Sequence, residues 1–432
     1  MKYYYLQSNF INPISDLKAD TLLNGVMIFT VNNLDGESKI IYFGEENSKS
    51  QKLINKKGIT IQILDYRDNL IIPGLWDMHF HWVQDDVCLK PKTNLLNWLS
   101  RYTWPYESKF KNPDFSNKKA KFFAKKLIRN GTVGGAVYSS IHSHTVDHAL
   151  KEFSGNFIIG NVLMTMNSPK YLSQTHNEAI SIVKKLSKKY KEKYAVTPRF
   201  AITTDHNTMT ESAKIAKINN SYIQTHLSET ENECNVVLDI FKNIPKFKNV
   251  KSYTEVYDKC NIINSKTILG HGIYLNDSEL KLIAKKKSLI AHCPTSNAPI
   301  RQSGLGSGLF DYKRAERLKV NWALASDIGG GPYLSMFDVM KSFVNQNLKI
   351  GNKKATYTKA LNRSTNVPIQ FLKLKKCGNF TVGNQATFLI LNKTKISKSD
   401  NAEAILKRKI ENSSRKNSEQ LIQYTFINGK LS

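Results

Sequence analysis

Cysteine is scarce in this chain of 432 residues, which has five, and no two of them stand in a CxxC spacing. An odd number without paired spacing argues against a disulfide framework and against a thiolate metal cage. We therefore expect reduced, mostly buried thiols at all five positions: Cys88, Cys234, Cys260, Cys293 and Cys377.

Long apolar runs are also missing. No stretch approaches the ~18 consecutive apolar residues that a membrane span needs, and the start Met1-Lys2-Tyr3-Tyr4-Tyr5 leads into polar sequence instead of an apolar signal core. The hydrophobic fraction of 41% and the aromatic fraction of 10% are ordinary, so the chain can bury a core. We expect a folded cytoplasmic protein with no membrane partner.

Acidic residues are few, since 35 Asp and Glu face 63 Lys and Arg, for a net charge of +28. Such a field attracts polyanions. The lysines are nevertheless spread along the whole chain, and a run such as 184–193 (KKLSKKYKEK) fits a solvated helix face. We interpret the charge as a composition bias and expect no specific nucleic-acid partner.

The chain exceeds the usual size of one compact core, so we expect a large domain with a smaller satellite. Short β-like runs bounded by turn residues occur near both ends, at 26–31, 40–43, 388–391 and 424–427. These runs predict a small β-sandwich-like domain built from both termini. We expect its parts at residues 1–72 and 375–432, around a larger domain at 73–374.

Between the ends, short apolar runs alternate with longer helix-like segments, which is typical of an α/β fold, a parallel (β/α)8 TIM-like barrel. Several runs end directly in polar residues that can do chemistry. The active site of such a barrel lies at the C-terminal mouth of its strands. A His, Glu or Asp just after a strand is therefore the best candidate for a functional residue.

A His-x-His pair, His79 and His81, ends the apolar segment that starts at Ile71. Side chains alternate across a strand, so both imidazoles point the same way and can converge on one ion. By itself, a bare His-x-His is more often an ordinary structural pair, and the prediction depends on further ligands elsewhere in the chain.

Three other strand-like runs supply those ligands. Run 222–229 contains His226 with Glu229 three residues beyond, run 267–272 ends in His271 between two glycines, and run 320–327 ends in Asp327. Histidines with one aspartate suit a zinc-like ion that keeps a coordination position for water. Together the four segments predict a catalytic metal site.

The chain order is His-x-His, His-x-x-Glu, Gly-His-Gly and Ser-Asp-x-Gly-Gly. With it, the sequence is identified as a member of the amidohydrolase superfamily and closely resembles its guanine-deaminating members. The resemblance covers nearly the whole barrel, through these further segments: 96–99 (LNWL), 102–107 (YTWPYE), 197–200 (TPRF), 253–258 (YTEVYD) and 292–297 (HCPTSN).

The resemblance implies one zinc per subunit, held by His79, His81, His226 and Asp327, with His271 hydrogen-bonded to the metal-bound water. It implies hydrolytic deamination of guanine to xanthine and ammonia by this zinc-activated water, whose pKa the metal lowers. Asp327 is the natural first proton acceptor. Glu229 can protonate a ring nitrogen and later deliver a proton to the departing ammonia.

The resemblance also implies that Gln84 and Arg199 hydrogen-bond the purine while Phe200 packs against it. Arginine offers a rigid donor fork to a carbonyl oxygen, and an aromatic face stacks on a flat base. The fourth-strand run 194–202 has no lysine, whereas binuclear members carry a carbamylated lysine there, so one metal is favoured. The alternatives are a rim ion pair for Arg199 and a plain core role for Phe200.

Two groups of residues receive no metal role. His142, His144 and His148 lack a matching carboxylate series, and polar groups of this kind are commonly just hydrogen-bonded. His292 is expected to shape the pocket together with Ser296 and Asn297. The segment 298–308 is longer than in many relatives and should lie near the mouth, where it can alter the lid of the pocket.

Other functions stay open. Another hydrolase on the same scaffold, acting on a different purine, a pyrimidine or a triazine, would share fold and metal, because neither determines the substrate. A nucleic-acid-binding protein that lost catalysis would explain the charge, although every proposed ligand is present. The small zinc deaminase fold is excluded, since it needs a CxxC motif. Members of the superfamily are generally homodimers, so we expect a homodimer.

Overall fold

The structure is a computed structural model that describes residues 1–55, 60–413 and 418–432. Within these ranges no helix has both the length and the hydrophobicity to cross a membrane. The chain forms two compact units. One comprises Met1–Trp76, Lys125–Val133 and Ser335–Ser432, and the other comprises Asp77–Ala124 and Gly134–Leu334.

Both ends of the chain contribute to one seven-stranded sheet. Its strands are β1 (Lys2–Pro13), β2 (Ala19–Val31), β3 (Ser38–Gly44), β4 (Ile61–Pro73), β13 (Phe388–Leu391), β14 (Ile422–Ile427) and β15 (Lys430–Leu431). Their spatial order is β15-β14-β13-β4-β1-β2-β3. The four strands predicted near the termini are confirmed, since they lie within β2, β3, β13 and β14.

This sheet is buried on both faces. Val26 and Ile28 of β2 belong to one apolar cluster, which includes Leu53 of the helix Ser48–Ile54. Met27 and Phe29 belong to a second cluster. Because neighbouring residues of a strand point to opposite faces, the two clusters lie on opposite sides of the sheet. Burial on both faces explains why β2 is a continuous apolar run instead of an alternating one.

Eight strands form the second sheet in simple chain order. They are β5 (Leu75–His81), β6 (Thr132–Ser139), β7 (Asn156–Leu163), β8 (Ala195–Pro198), β9 (Tyr222–Leu227), β10 (Thr267–His271), β11 (Leu289–His292) and β12 (Asn321–Leu324). Pairs from β6 to β12 are parallel. The amide of Asp327, just after β12, donates to the carbonyl of His79 in β5 at 2.8 Å and brings the two end strands together. The predicted (β/α)8 barrel is confirmed.

The α-helices have the following bounds: α1 (Ser48–Ile54), α2 (Leu95–Trp98), α3 (Trp104–Glu107), α4 (Pro113–Arg129), α5 (Ser143–Glu152), α6 (His176–Tyr190), α7 (His206–Ile218), α8 (Glu231–Lys242), α9 (Tyr253–Lys259), α10 (Asp277–Lys286), α11 (Tyr312–Arg317), α12 (Met336–Lys349), α13 (Tyr357–Arg363), α14 (Asn366–Phe371) and α15 (Ala402–Glu411). Three short helices of other types also matter for the site. They are the 3-10 helices Trp82–Val87 and Ser108–Lys111 and the π-helix Leu99–Thr103.

Three non-glycine residues at or just after barrel strands have a strained backbone. Ser228, His271 and Asp327 have φ angles of +51°, +71° and +49°, in the left-handed region that costs a residue with a side chain on the order of 1 kcal/mol. They follow β9, end β10 and follow β12, respectively. Strained non-glycine residues cluster at functional sites, because only a surrounding structure that needs their geometry maintains it.

Candidate active site

Five side chains with predicted metal roles meet at the mouth of the barrel. His81 Nε2 lies 3.1 Å from His226 Nε2 and 3.5 Å from Asp327 Oδ1, and His79 Nε2 lies 3.4 Å from the same oxygen. The ligand atoms of His79, His226, His271 and Asp327 all lie within 4.8 Å of one another. Strand alternation thus directs both histidines of the His-x-His pair to one aspartate, as the sequence indicated.

Several nitrogens of this cluster are buried without a hydrogen-bond partner among the described residues. They include Nε2 of His79, Nδ1 of His81 and Nε2 of His271. A buried polar atom left unpaired costs about 1–3 kcal/mol, and a cation bound beside Asp327 would supply the partner that Nε2 of His79 lacks. Imidazole nitrogens with one carboxylate are ligands that zinc prefers. The donor set therefore fits a single divalent cation.

The ring of His226 has a defined orientation. Its Nδ1 lies 2.7 Å from the backbone carbonyl of Arg199, and a carbonyl can only accept, so Nδ1 carries the proton. The other nitrogen, Nε2, then turns its lone pair toward His81 and the cluster. A backbone partner of this kind is the usual way in which a protein orients a metal-binding histidine.

His271 is oriented the opposite way. The side-chain amide nitrogen of Asn297 lies 3.2 Å from its Nδ1 and 3.4 Å from Oε1 of Glu229. When the amide donates to Nδ1, the neutral ring keeps its proton on Nε2, which lies 3.5 Å from Oε2 of Glu229. A protonated Nε2 is a hydrogen-bond donor and not a metal ligand. This geometry favours a role beside a water molecule, as the sequence predicted, over direct ligation.

Burial favours the neutral form of three imidazoles of the site, those of His81, His226 and His271. It places the pKa values of His81 and His226 well below the ordinary value, with neighbouring histidines adding to the effect, and lowers the pKa of His271 to about 4. Burial alone would raise the pKa of Asp327, but the adjacent His79, with help from His271 and from the hydroxyl of Ser296, brings it below its usual value. Neutral rings around an ionised carboxylate are the state that binds a cation.

Glu229 is the protonated carboxyl of the site. Burial raises its pKa well above the ordinary value, and the charges of Asp327 and Glu233 add to this. Glu233, the third residue of α8, forms a capping box with Thr230 and accepts from the amide of Glu229 at 2.8 Å. Two buried carboxyl groups with opposite pKa shifts, Asp327 and Glu229, form the pattern of a proton acceptor beside a proton donor.

A cavity adjoins the cluster, and both apolar and polar side chains line it. Its apolar lining comprises Leu95, Trp98, Leu99, Phe200 and Leu305, and its polar lining includes Gln84, Arg199, Glu229 and Glu233. All three residues predicted to contact the substrate, Gln84, Arg199 and Phe200, line this cavity together with metal-cluster residues. Their roles stay predictions, but the fold brings them to one place.

Glu107 was missed by the sequence analysis as a functional residue. Its carboxylate is fully buried and accepts from Arg199 Nη1 and from Gln84 Nε2, both at 2.7 Å. Arg199 is thus in an ion pair, although one that is buried beside the cavity and not on the rim. The sequence offered one sign of this role, a lone carboxylate in the aromatic segment 102–107. That segment supported the family resemblance, and no function was predicted for its carboxylate.

The segment 298–308 reaches the site through two residues. Leu305 lines the cavity, and Ser307 Oγ lies 3.4 Å from Oε1 of Glu229. Lys92 holds the same segment from the opposite side, since its ammonium donates to the carbonyl of Ser303 at 3.0 Å and to that of Cys88 at 2.7 Å. The segment 298–308 therefore lies near the mouth of the barrel, as the sequence predicted.

The other histidines noted in the sequence lie apart from the cluster. His292 is fully buried against the rings of Phe310 and Trp322. His144 and His148 bond the carbonyl of Phe110 and the hydroxyl of Ser116 at 2.8 and 2.9 Å. Among the described residues, the only group able to hold a metal is the one at the barrel mouth, so the 142–148 histidines are not a second site there. Ser296 donates to Oδ2 of Asp327 at 2.7 Å.

The fold and this site define a metal-binding hydrolase barrel, and the chain belongs to the amidohydrolase family, whose family model matches residues 70–431. The relatives it resembles are guanine deaminases. That of Mus musculus is 32% identical over 82% of this chain and 80% of its own length, and that of Escherichia coli K12 is 29% identical over 83% and 80%. A crystal structure of guanine deaminase from C. acetobutylicum, with bound guanine in its active site, matches with a TM-score of 0.85 at 26% identity, over 100% of both chains.

Proposed function

We propose that this protein is an aminohydrolase that converts guanine to xanthine and ammonia. The observation that carries the proposal is a single cavity in which a histidine and aspartate cluster, a protonated buried carboxyl and an arginine meet. Similarity to guanine deaminases over most of their length supports guanine as the substrate. The net reaction adds the oxygen of one water to C2 of guanine and breaks the bond from C2 to the exocyclic nitrogen.

The metal is proposed to be one zinc ion, with His79, His81, His226 and Asp327 as its ligands. When bound, zinc supplies Lewis acidity and lowers the pKa of a coordinated water towards neutrality. The orientation of His226 by the Arg199 carbonyl supports its role as a ligand. The fourth barrel strand, β8, contains no lysine, which supports one metal per subunit.

Proton movement is assigned to three side chains. Asp327, ionised within the cluster, accepts a proton from the attacking water. Glu229, protonated through burial, donates to a ring nitrogen and in a later step gives a proton to the departing amine. His271 holds the water through its Nε2 proton. One water proton leaves with ammonia and the other stays on xanthine, so the reaction balances.

The purine is proposed to bind between Phe200 and the polar pair of Arg199 and Gln84. Arg199 donates hydrogen bonds to the carbonyl oxygen of the base, which a buried guanidinium does strongly because the cavity excludes competing water. Phe200 is buried next to the cluster, with its ring 6.4 Å from that of His226. An aromatic ring there packs against a flat base without selecting its polar groups.

The first test is ammonia release by the zinc-loaded protein, with guanine compared against adenine, cytosine, guanosine and a triazine. We expect guanine alone to react and xanthine to appear. In Glu229→Gln, which keeps the size of the side chain, the rate should fall by about a factor of 100 or more. The control Glu211→Gln, on a partly exposed carboxylate of α7, should keep full activity.

Reaction of another substrate would leave the metal centre in place and contradict the assignment of the pocket. If no substrate reacts, salt-dependent retention on nucleic acid would favour the non-catalytic alternative. A homodimer, a cytoplasmic location and the domain limits 1–72, 73–374 and 375–432 are further parts of the proposal. Light scattering in solution tests the first of these, with twice the mass of the monomer expected.

A further inference from the structure

The carboxylate of Glu107 connects the two polar residues of the proposed substrate pocket. Its Oε2 accepts from the guanidinium of Arg199 and its Oε1 accepts from the side-chain amide of Gln84, each at 2.7 Å. Glu107 is fully buried, and Gln84 and Arg199 are 2% and 3% exposed. At this degree of burial little water competes, so both hydrogen bonds restrict their donors strongly.

The three partners come from separate parts of the chain. Gln84 lies in the 3-10 helix after β5, Arg199 follows β8, and Glu107 ends the short helix α3. Glu107 is 23 residues from Gln84 and 92 from Arg199. A group that joins two strand ends from a third segment determines how their side chains are placed relative to each other.

The bond to Glu107 determines which atom of Gln84 can meet a ligand. The amide donates one N–H to the carboxylate of Glu107, and its oxygen Oε1 lies against Gly329, next to the cavity-lining Gly330. A methyl group at Gly329 would come within 2.3 Å of that oxygen. Glycine at this position therefore gives the oxygen its space, and the amide is presented as an acceptor.

Arg199 presents the complementary group. A guanidinium has five N–H donors and no acceptor. The bond to Oε2 of Glu107 uses one N–H of Nη1, so other donors of Arg199 remain for a ligand. The pocket thus holds a donor and an acceptor in a defined arrangement. A lactam edge, with a carbonyl next to a ring N–H, matches this arrangement. An amidine edge, with an amine next to a bare ring nitrogen, has both groups reversed.

We propose that Glu107 is a positioning residue that sets the preference of this pocket for a lactam-edged base, by holding Gln84 as an acceptor beside Arg199. The inference rests on the proposed function, since it names what distinguishes guanine from its amidine analogue. The competing explanation is that Glu107 only neutralises a buried arginine. That explanation predicts loss of stability without a change of preference.

The test compares guanine with 2,6-diaminopurine in the zinc-loaded, full-length protein and its Glu107→Gln variant. In the variant, the amide nitrogen at position 107 cannot accept a hydrogen bond, so only one of the two donors keeps its partner. The side-chain amide of Gln84 is then free to rotate. We expect the KM for guanine to rise about tenfold and the preference for guanine to fall about tenfold, while kcat changes by less than about threefold. Glu211→Gln is the matched control, a carboxylate-to-amide change in a partly exposed ion pair away from the cavity lining.

A double-mutant cycle shows whether Glu107 acts through Gln84. In a Gln84→Ala background, Glu107→Gln should change the preference little, because the residue it orients is already gone. An unchanged preference in the single variant, or equal effects in both backgrounds, would overturn the proposal. Should Glu107→Gln not fold, Glu107→Asp keeps the charge for Arg199 and shortens the reach to Gln84, and the same fall in preference is expected.

Equilibrium binding of xanthine, which keeps the lactam edge and does not turn over, gives a readout independent of catalysis. If the wild type releases no ammonia from guanine, the proposed function fails, and xanthine binding still decides the inference. Weaker xanthine binding by about tenfold in Glu107→Gln supports it. Equal affinity of the two proteins, or no binding by the wild type, contradicts it.

Discussion

His226 donates its Nδ1 proton to the backbone carbonyl of Arg199, 2.7 Å away. The guanidinium of the same arginine lies in the cavity wall and pairs with Glu107. One residue after strand β8 therefore orients a ring of the metal cluster with its backbone and contributes to the pocket with its side chain. Because the carbonyl remains when the side chain is replaced, mutation can separate the two contacts.

Arg199→Met should impair substrate binding and leave metal binding unchanged. Loss of a charge-assisted hydrogen bond costs about 1.5–3 kcal/mol, so we expect the KM for guanine to rise by about tenfold to a hundredfold. Steady-state kinetics and zinc content by mass spectrometry measure the two effects. Arg317→Met, on an exposed arginine of α11, is the control and should match the wild type. Loss of zinc along with guanine binding would argue against this separation.

His226→Ala and His271→Ala should differ in zinc content. His226 points a lone pair into the cluster, whereas His271 keeps its proton on Nε2, so the first variant should lose zinc and the second should retain it with a rate reduced about a hundredfold. Zinc stoichiometry after dialysis and the kcat of reloaded protein distinguish them. His206→Ala, whose ring packs on Phe247, is the control. A zinc-free His271→Ala protein would show that His271 is a ligand.

The stability of the protein should depend on pH through Glu233. Burial raises the pKa of Glu233 to about 7, so the folded state holds this proton more tightly than the unfolded state. Its stabilising contribution is full below about pH 4.3, the unfolded pKa, and disappears as pH rises through 7. Glu233→Gln keeps an oxygen for the capping box and has no proton to lose. As the pH rises across this window, its free energy of unfolding should therefore increase by about 3 kcal/mol relative to that of the wild type.

Urea unfolding at several pH values measures this difference. Glu211→Gln serves as the comparison, because the carboxylate is partly exposed and solvent screens its ion pairs with His176 and Lys184. Parallel pH profiles for the wild type and Glu233→Gln would show that Glu233 is ionised in the folded protein at neutral pH.

Lys92→Met should loosen the segment 298–308. The lysine ammonium joins the carbonyls of Cys88 and Ser303 and lies 5.4 Å from the ring of Trp98, which lines the cavity. We expect a KM for guanine about threefold to tenfold higher, with little change in kcat, and faster hydrogen exchange across the segment. Lys90→Met, on an exposed neighbour, should change neither. Unaltered exchange in Lys92→Met would show that the segment is held by other contacts.

Much of the fold was predictable because barrel strands carry local signals. Apolar runs of a few residues that end in His, Glu or Asp mark strands at the mouth, and the strands β5, β9, β10 and β12 lie where those runs stand. His79 and His81 face the same ion because two is the period of a strand. Segments without such a pattern were not foreseen, among them the long strands β1 and β4 of the terminal sheet.

The sequence by itself determined the barrel and the set of candidate metal ligands, because each depends on residue type and on spacing within one segment, whereas Gln84, Arg199 and Phe200 were predicted from the family resemblance. Only the tertiary structure decided that Glu107 joins Gln84 to Arg199, that Asn297 leaves the proton of His271 on Nε2, and that Lys92 holds the segment at the mouth. These contacts connect side chains up to 211 residues apart. Closure of the barrel and the choice of rotamers bring such residues together, and no local periodicity records either one.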